Sequence, residues 1–134
     1  MIVVDTNVVA YLWIPGIHTA QAEQVLSKDS DWVAPFLWRS EFRNVLAGYI
    51  RHNLLTVEVA IQIMEEAETQ MQDQEYFVSS VEVLRLVEKS ECSAYDCEFV
   101  ALAQELGVPL VTTDKKVLSE FPSLTVPIDE FITL

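Results

Sequence analysis

The sequence predicts an α/β fold with a mostly parallel sheet covered on both faces by helices. Short β-branched or apolar runs alternate with longer stretches of helical period along the whole chain. Hydrophobic residues make up 51% of the composition, enough to bury a real core. With only 3 glycines and 5 prolines in 134 residues, no long flexible linker divides the chain, and one domain spanning residues 1–134 is expected.

The elements follow in order. Ile2-Val3-Val4 reads as a buried strand, ended by the helix-capping residues Asp5-Thr6-Asn7. Residues 8–13 form a short helix that stops near Pro15-Gly16. Residues 18–27 carry a weak helical face of Ala22, Val25 and Leu26. Trp32-Val33-Ala34 reads as a second strand closed by Pro35. Residues 36–52 form a long helix, with Leu37, Phe42, Val45, Leu46, Tyr49 and Ile50 near a period of 3.6 and Asn53 as its stop. Thr56 opens another helix with Val59, Ile63 and Met64, running to about residue 71. Tyr76-Phe77-Val78 reads as a third strand, and Ser80 opens a helix holding Val81, Leu84 and Val87. Ser93 caps a helix over residues 94–106, with Gly107 at its end. Residues 109–112 form a fourth strand, residues 115–121 a short helix and residues 124–128 a fifth strand.

The net charge of −13 opposes a phosphate backbone. The basic residues are unevenly placed, however. Five of the eight, Arg39, Arg43, Arg51, Lys115 and Lys116, lie close in sequence to Glu41 or Asp114. Cys92 and Cys97 fit neither a disulfide framework nor a zinc pattern with His18 and His52, so reduced structural thiols are expected. The chain has no apolar run of transmembrane length, and its start lacks a secretory pattern, so a cytoplasmic protein is expected.

Four acids carry the functional expectation. Asp5 and Asp114 each follow an apolar strand, and ligands of open α/β sheets bind beyond the carboxyl ends of the strands. Glu41 stands near the start of the long helix after the second strand, and Asp96 in the first turn of the helix opened by Ser93. All four therefore come from one edge of the predicted sheet. Taken singly, Asp5 and Asp114 read equally well as caps, Glu41 as a solvated helix residue, and Asp96 as an acid favoured by a helix N-terminus. Taken together, four convergent carboxylates repel one another unless a cation neutralises them. Hard oxygen ligands of this kind suit Mg²⁺ or Mn²⁺, which activates water for phosphodiester hydrolysis. Glu98, on another face of the Asp96 helix, is read as surface.

The ordered set of segments resembles the PIN domain, and in particular VapC-type toxin ribonucleases. The segments are Val3-Val4-Asp5-Thr6-Asn7-Val8-Val9-Ala10-Tyr11-Leu12, Ser40-Glu41, Tyr95-Asp96-Cys97-Glu98-Phe99-Val100-Ala101-Leu102-Ala103 and Leu110-Val111-Thr112-Thr113-Asp114. The resemblance implies a three-layer α/β/α sandwich around a five-stranded parallel sheet of order 3-2-1-4-5. It implies Mg²⁺- or Mn²⁺-dependent endonucleolytic cleavage of RNA, leaving 5′-phosphate and 3′-hydroxyl ends. Asp5, Glu41, Asp96 and Asp114 match the family's acidic residues, Thr6 and Asn7 match polar residues that support the first acid, and Thr112 matches a hydroxyl residue before the last. It also implies a small antitoxin protein partner and a homodimer.

Arg39 and Arg43 share a helix face and suit either phosphate oxygens or a salt-bridged surface. Lys115 and Lys116 suit phosphate binding or a solvated turn. Trp13, Trp32 and Trp38 are expected to be buried rather than to stack on bases. His18 and His52 adjoin no candidate acid. Three alternatives stay open: a stand-alone PIN nuclease, a non-enzymatic acidic binding module, and a phosphatase of the haloacid-dehalogenase type. The last normally has a second aspartate two residues after its first, where this chain has Asn7.

Overall fold

The computed structural model describes all of residues 1–134. Five strands form one sheet: β1 (Ile2–Val4), β2 (Trp32–Pro35), β3 (Glu75–Tyr76), β4 (Leu110–Thr112) and β5 (Thr125–Pro127). Every pairing is parallel, and the order is β3-β2-β1-β4-β5. The expected fold class and strand order are therefore observed. β1 and β4 are neighbours at the point where the order reverses, with Val3 opposite Leu110 and Val4 opposite Val111.

Eight helices surround the sheet: α1 (Thr6–Trp13), α2 (Thr19–Lys28), α3 (Leu37–Arg51), α4 (Val57–Gln70), α5 (Ser80–Glu88), α6 (Ala94–Leu106), α7 (Lys115–Glu120) and α8 (Ile128–Thr133). Helix α6 packs against β1, β2 and β4, and α5 packs on α6. Helices α1, α2, α3, α4 and α8 pack among themselves, with α1 against β4 and α3 against β2. A sheet covered in this way needs apolar residues on both sides of each strand, and all of Ile2, Val3, Val4, Trp32, Val33 and Ala34 are buried. No helix is long and apolar enough to cross a membrane.

Local chemistry sets the boundaries. Thr56, Ser79 and Ser93 each accept a hydrogen bond from the backbone N–H three residues on, capping α4, α5 and α6. Gly107 ends α6 at φ 66, a left-handed conformation that glycine adopts without a side-chain clash.

Three readings of the sequence need correction. The third strand is Glu75–Tyr76, and Phe77 lies beyond it, 87% exposed. In α5 the buried residues are Val83 and Leu86, whereas Val81 and Leu84 are exposed. Of the three residues expected on the buried face only Val87, half-buried, packs against the core. Residues after β5 form α8, whose Ile128 and Phe131 are buried. The cysteines are buried free thiols. Trp32 and Trp38 are buried as expected, while Trp13 is half-buried and donates its indole N–H to Gln70 Oε1 at 2.6 Å.

Candidate active site

Asp5 leaves β1 in an extended conformation, and its N–H reaches Val111 O at 3.2 Å, prolonging the β1–β4 ladder by one residue. Its side chain then does two things. Oδ1 accepts from Val8 N–H at 3.0 Å and caps α1. Oδ2 accepts from the Thr112 hydroxyl and from Thr113 N–H. Asp114 repeats the capping role at the end of β4, where its Oδ1 accepts from Lys116 and Val117 N–H at 2.9 and 3.0 Å. Thr112 Oγ1 also accepts from Asp114 N–H at 3.0 Å, so one hydroxyl links both strand-end aspartates.

Glu41 projects from the second turn of α3 and Asp96 from the first turn of α6. All four acids line one open pocket of about 500 Å³, together with Thr6, Asn7 and Thr112. The Thr6 hydroxyl donates to Glu41 Oε1 at 2.7 Å. The resemblance implied support of the first acid by Thr6; its hydroxyl holds the second instead, because the start of α1 faces α3. Asn7 is exposed and lines the pocket; its backbone bears on Asp5, whose carboxylate the Thr112 hydroxyl also grips.

The electrostatics are those of crowded acids. Burial raises the pKa of Asp5, against the pull of the Thr112, Val8, Thr113 and Asn7 hydrogen bonds. Glu41 is raised by burial, with further repulsion from Asp96, Asp5 and Glu98. Asp96 is raised by burial and by the charge of Asp114, with Lys116 pulling the other way. Glu98, expected at the surface, is half-buried, and burial raises it too.

A hard divalent cation fits this donor set chemically, because every acidic group offers carboxylate oxygens and no Lys or Arg lines the pocket. No three of the side chains form a ready-made cage. Mg²⁺ does not require one: it is usually held by one or two carboxylates, with water and substrate phosphate completing the shell.

The basic residues divide. Arg39 makes a two-pronged pair with Glu75, Nε to Oε2 at 2.5 Å and Nη2 to Oε1 at 2.8 Å, and a further bond from Nη1 to Glu68 Oε2 at 2.6 Å. Of its two sequence readings, the salt-bridged face is the one observed. Arg43 and Lys115 are exposed and do not line the pocket. Lys116 is exposed on the first turn of α7, close enough for Asp96 to feel its charge. Sequence reasoning missed Asn44 and Tyr95 as pocket walls. Asn44 was findable, since it stands three residues after Glu41 and so on the same helix face.

Fold and site together define a parallel α/β protein with a carboxylate pocket at the reversal of its strand order. The family model described as PIN domain matches residues 2–123, and the chain belongs to that family. It is 31% identical to Ribonuclease VapC3 of Pyrobaculum aerophilum, over 94% of this chain and 98% of that relative. Its fold is similar to the crystal structure of PAE2754 from Pyrobaculum aerophilum, with a TM-score of 0.78 at 17% identity, covering 98% of this chain and 93% of that one.

Proposed function

We propose that this chain is a cytoplasmic Mg²⁺- or Mn²⁺-dependent endoribonuclease, the toxin of a toxin–antitoxin pair. The observation that carries the reading is the convergence of Asp5, Glu41, Asp96 and Asp114 on one pocket at the ends of β1 and β4. Membership of the PIN-domain family and the similarity to Ribonuclease VapC3 support it.

Asp5, Asp96 and Asp114 would hold the divalent ion, with Glu41 completing the set directly or through water. The bound ion supplies a water of lowered pKa and neutralises charge building up on the attacked phosphate. The protein's part is orientation. Thr112 and Thr113 fix the Asp5 carboxylate, Thr6 fixes Glu41, and the α7 cap fixes Asp114. Lys116, whose charge reaches Asp96, would be available to substrate phosphates.

The test is cleavage of a mixed RNA pool with Mg²⁺ or Mn²⁺. Asp5→Asn and Asp114→Asn are expected to lose cleavage, each by at least about a hundredfold if the carboxylate stabilises the transition state. Asn caps a helix as well as Asp does, so Asp114→Asn is the variant that keeps the fold. Undiminished cleavage by both would end the proposal. The reading extends to a homodimer and a small antitoxin partner, which sedimentation and copurification from the native host would test.

A further inference from the structure

Beside the acidic pocket lies a second cavity of about 270 Å³, and the two share Asn7 and Val45 as common walls. Three rings from three segments line it: Tyr11 on α1, His18 at the start of α2 and Tyr49 on α3. Tyr11 and His18 already pack together, with ring centroids 4.5 Å apart. We propose that this cavity is a nucleobase subsite, which receives one unpaired base of the RNA strand beside the scissile phosphate. The proposal rests on the nuclease reading and gives it a mode of substrate binding.

Charge favours this occupant. The net charge is −13, and no Lys or Arg lines either cavity. Arg39 is paired with Glu75 and Glu68, and Lys28 donates to the carbonyls of Phe131 and Leu134 at 2.6 Å each. Neither cavity therefore offers a cationic wall to a phosphate backbone, and affinity for a single strand draws on its bases. Stacking on aromatic rings supplies that without regard to sequence. Asn7, exposed at the junction of the cavities, offers an amide donor and acceptor to a base edge. Size excludes a deeply inserted peptide helix. Such a helix is about 10–12 Å across, whereas this volume equals a cube about 6.5 Å on a side.

Titration of the metal-free protein with adenosine, which carries no phosphate, tests the subsite without relying on catalysis. Ring protons of Tyr11, His18 and Tyr49 are expected to move upfield in the NMR spectrum, while those of the distant, exposed Phe77 stay fixed. Tyr49→Ala is expected to weaken nucleoside binding, and to lower kcat/KM for single-stranded RNA, by roughly tenfold, with Tyr49→Phe restoring both. His18→Ala, at an exposed position, provides a second variant that does not threaten the core. Cavity rings that ignore adenosine, or wild-type kcat/KM in Tyr49→Ala and His18→Ala, would overturn the proposal. So would a partner peptide that shifts these rings when adenosine does not. Adenosine binding in a protein that cleaves no RNA would sink the nuclease reading and leave the subsite standing.

Discussion

Asp5 divides its two oxygens between jobs that the sequence presents as rivals. One oxygen caps α1, and the other is tied across the sheet to Thr112 and Thr113. Capping thus orients the carboxylate rather than competing with a role in ion binding. Asp96 is in a different position: burial and the nearby Asp114 both raise its pKa, so its charge is a liability until a cation arrives. Asp96→Asn is expected to raise the Tm of the metal-free protein, modestly because the side chain is only part-buried and Ser93 favours its charged form. Mn²⁺ is expected to raise the Tm of the wild type and leave the variant almost unmoved, which calorimetry with and without chelator would show. At this scale the sequence was legible wherever a residue's neighbour in space is set by its element. Asp5 and Asp114 could be placed because each ends a strand. The Thr6–Glu41 bond could not, because it joins residues 35 apart through the packing of α1 on α3.

Among the elements, the start of α3 is held from outside the pocket. Glu75 on the edge strand β3 takes the two-pronged Arg39 guanidinium and the Trp38 indole N–H at 2.8 Å, and its side chain is only 7% exposed. The Arg39 bond holds the Glu75 carboxyl below its usual range, with burial opposing. Because the folded value is depressed, the stabilisation is complete above the ordinary glutamate range and disappears as pH falls through the depressed value. Glu75→Gln is expected to cost about 2 kcal/mol at neutral pH, below the roughly 3–5 kcal/mol of a fully buried pair because Arg39 is a third exposed. Urea unfolding of both proteins across the acid range should find the gap closing as the wild-type carboxyl becomes protonated. The same clamp explains which elements were readable. β1, β2 and β4 announce themselves by apolar runs because they are buried on both faces. β3 is a two-residue edge strand kept by a polar anchor, so hydrophobicity marks it poorly. Helix α5 misled because five of its nine residues are apolar in two competing stripes.

For the molecule as a whole, the acid excess governs how a polyanion is met. Proteins that bind RNA through many phosphate contacts lose affinity steeply with salt, because they release condensed counterions. Here the net field is repulsive, and added monovalent salt screens it. The KM for a single-stranded RNA is expected to stay level or fall between about 50 and 200 mM salt at fixed divalent ion, where a basic nuclease would show a large rise. Steady-state kinetics at several salt concentrations would decide it. The overall sandwich was legible because alternation of strand and helix survives errors at single boundaries. The cavity lined by Tyr11, His18 and Tyr49 was not, since rings spread over three segments share no sequence period.

The bond between Asp5 and Thr112 spans 107 residues of sequence. A chain emerging from the ribosome therefore carries its first acid long before the strand that steadies it has been made. Because β4 comes late in the chain and must pair with β1 to bring Thr112 and Asp114 to Asp5, the pocket is among the last parts to assemble. On the nuclease reading, an unfinished polypeptide is harmless to the very message that encodes it.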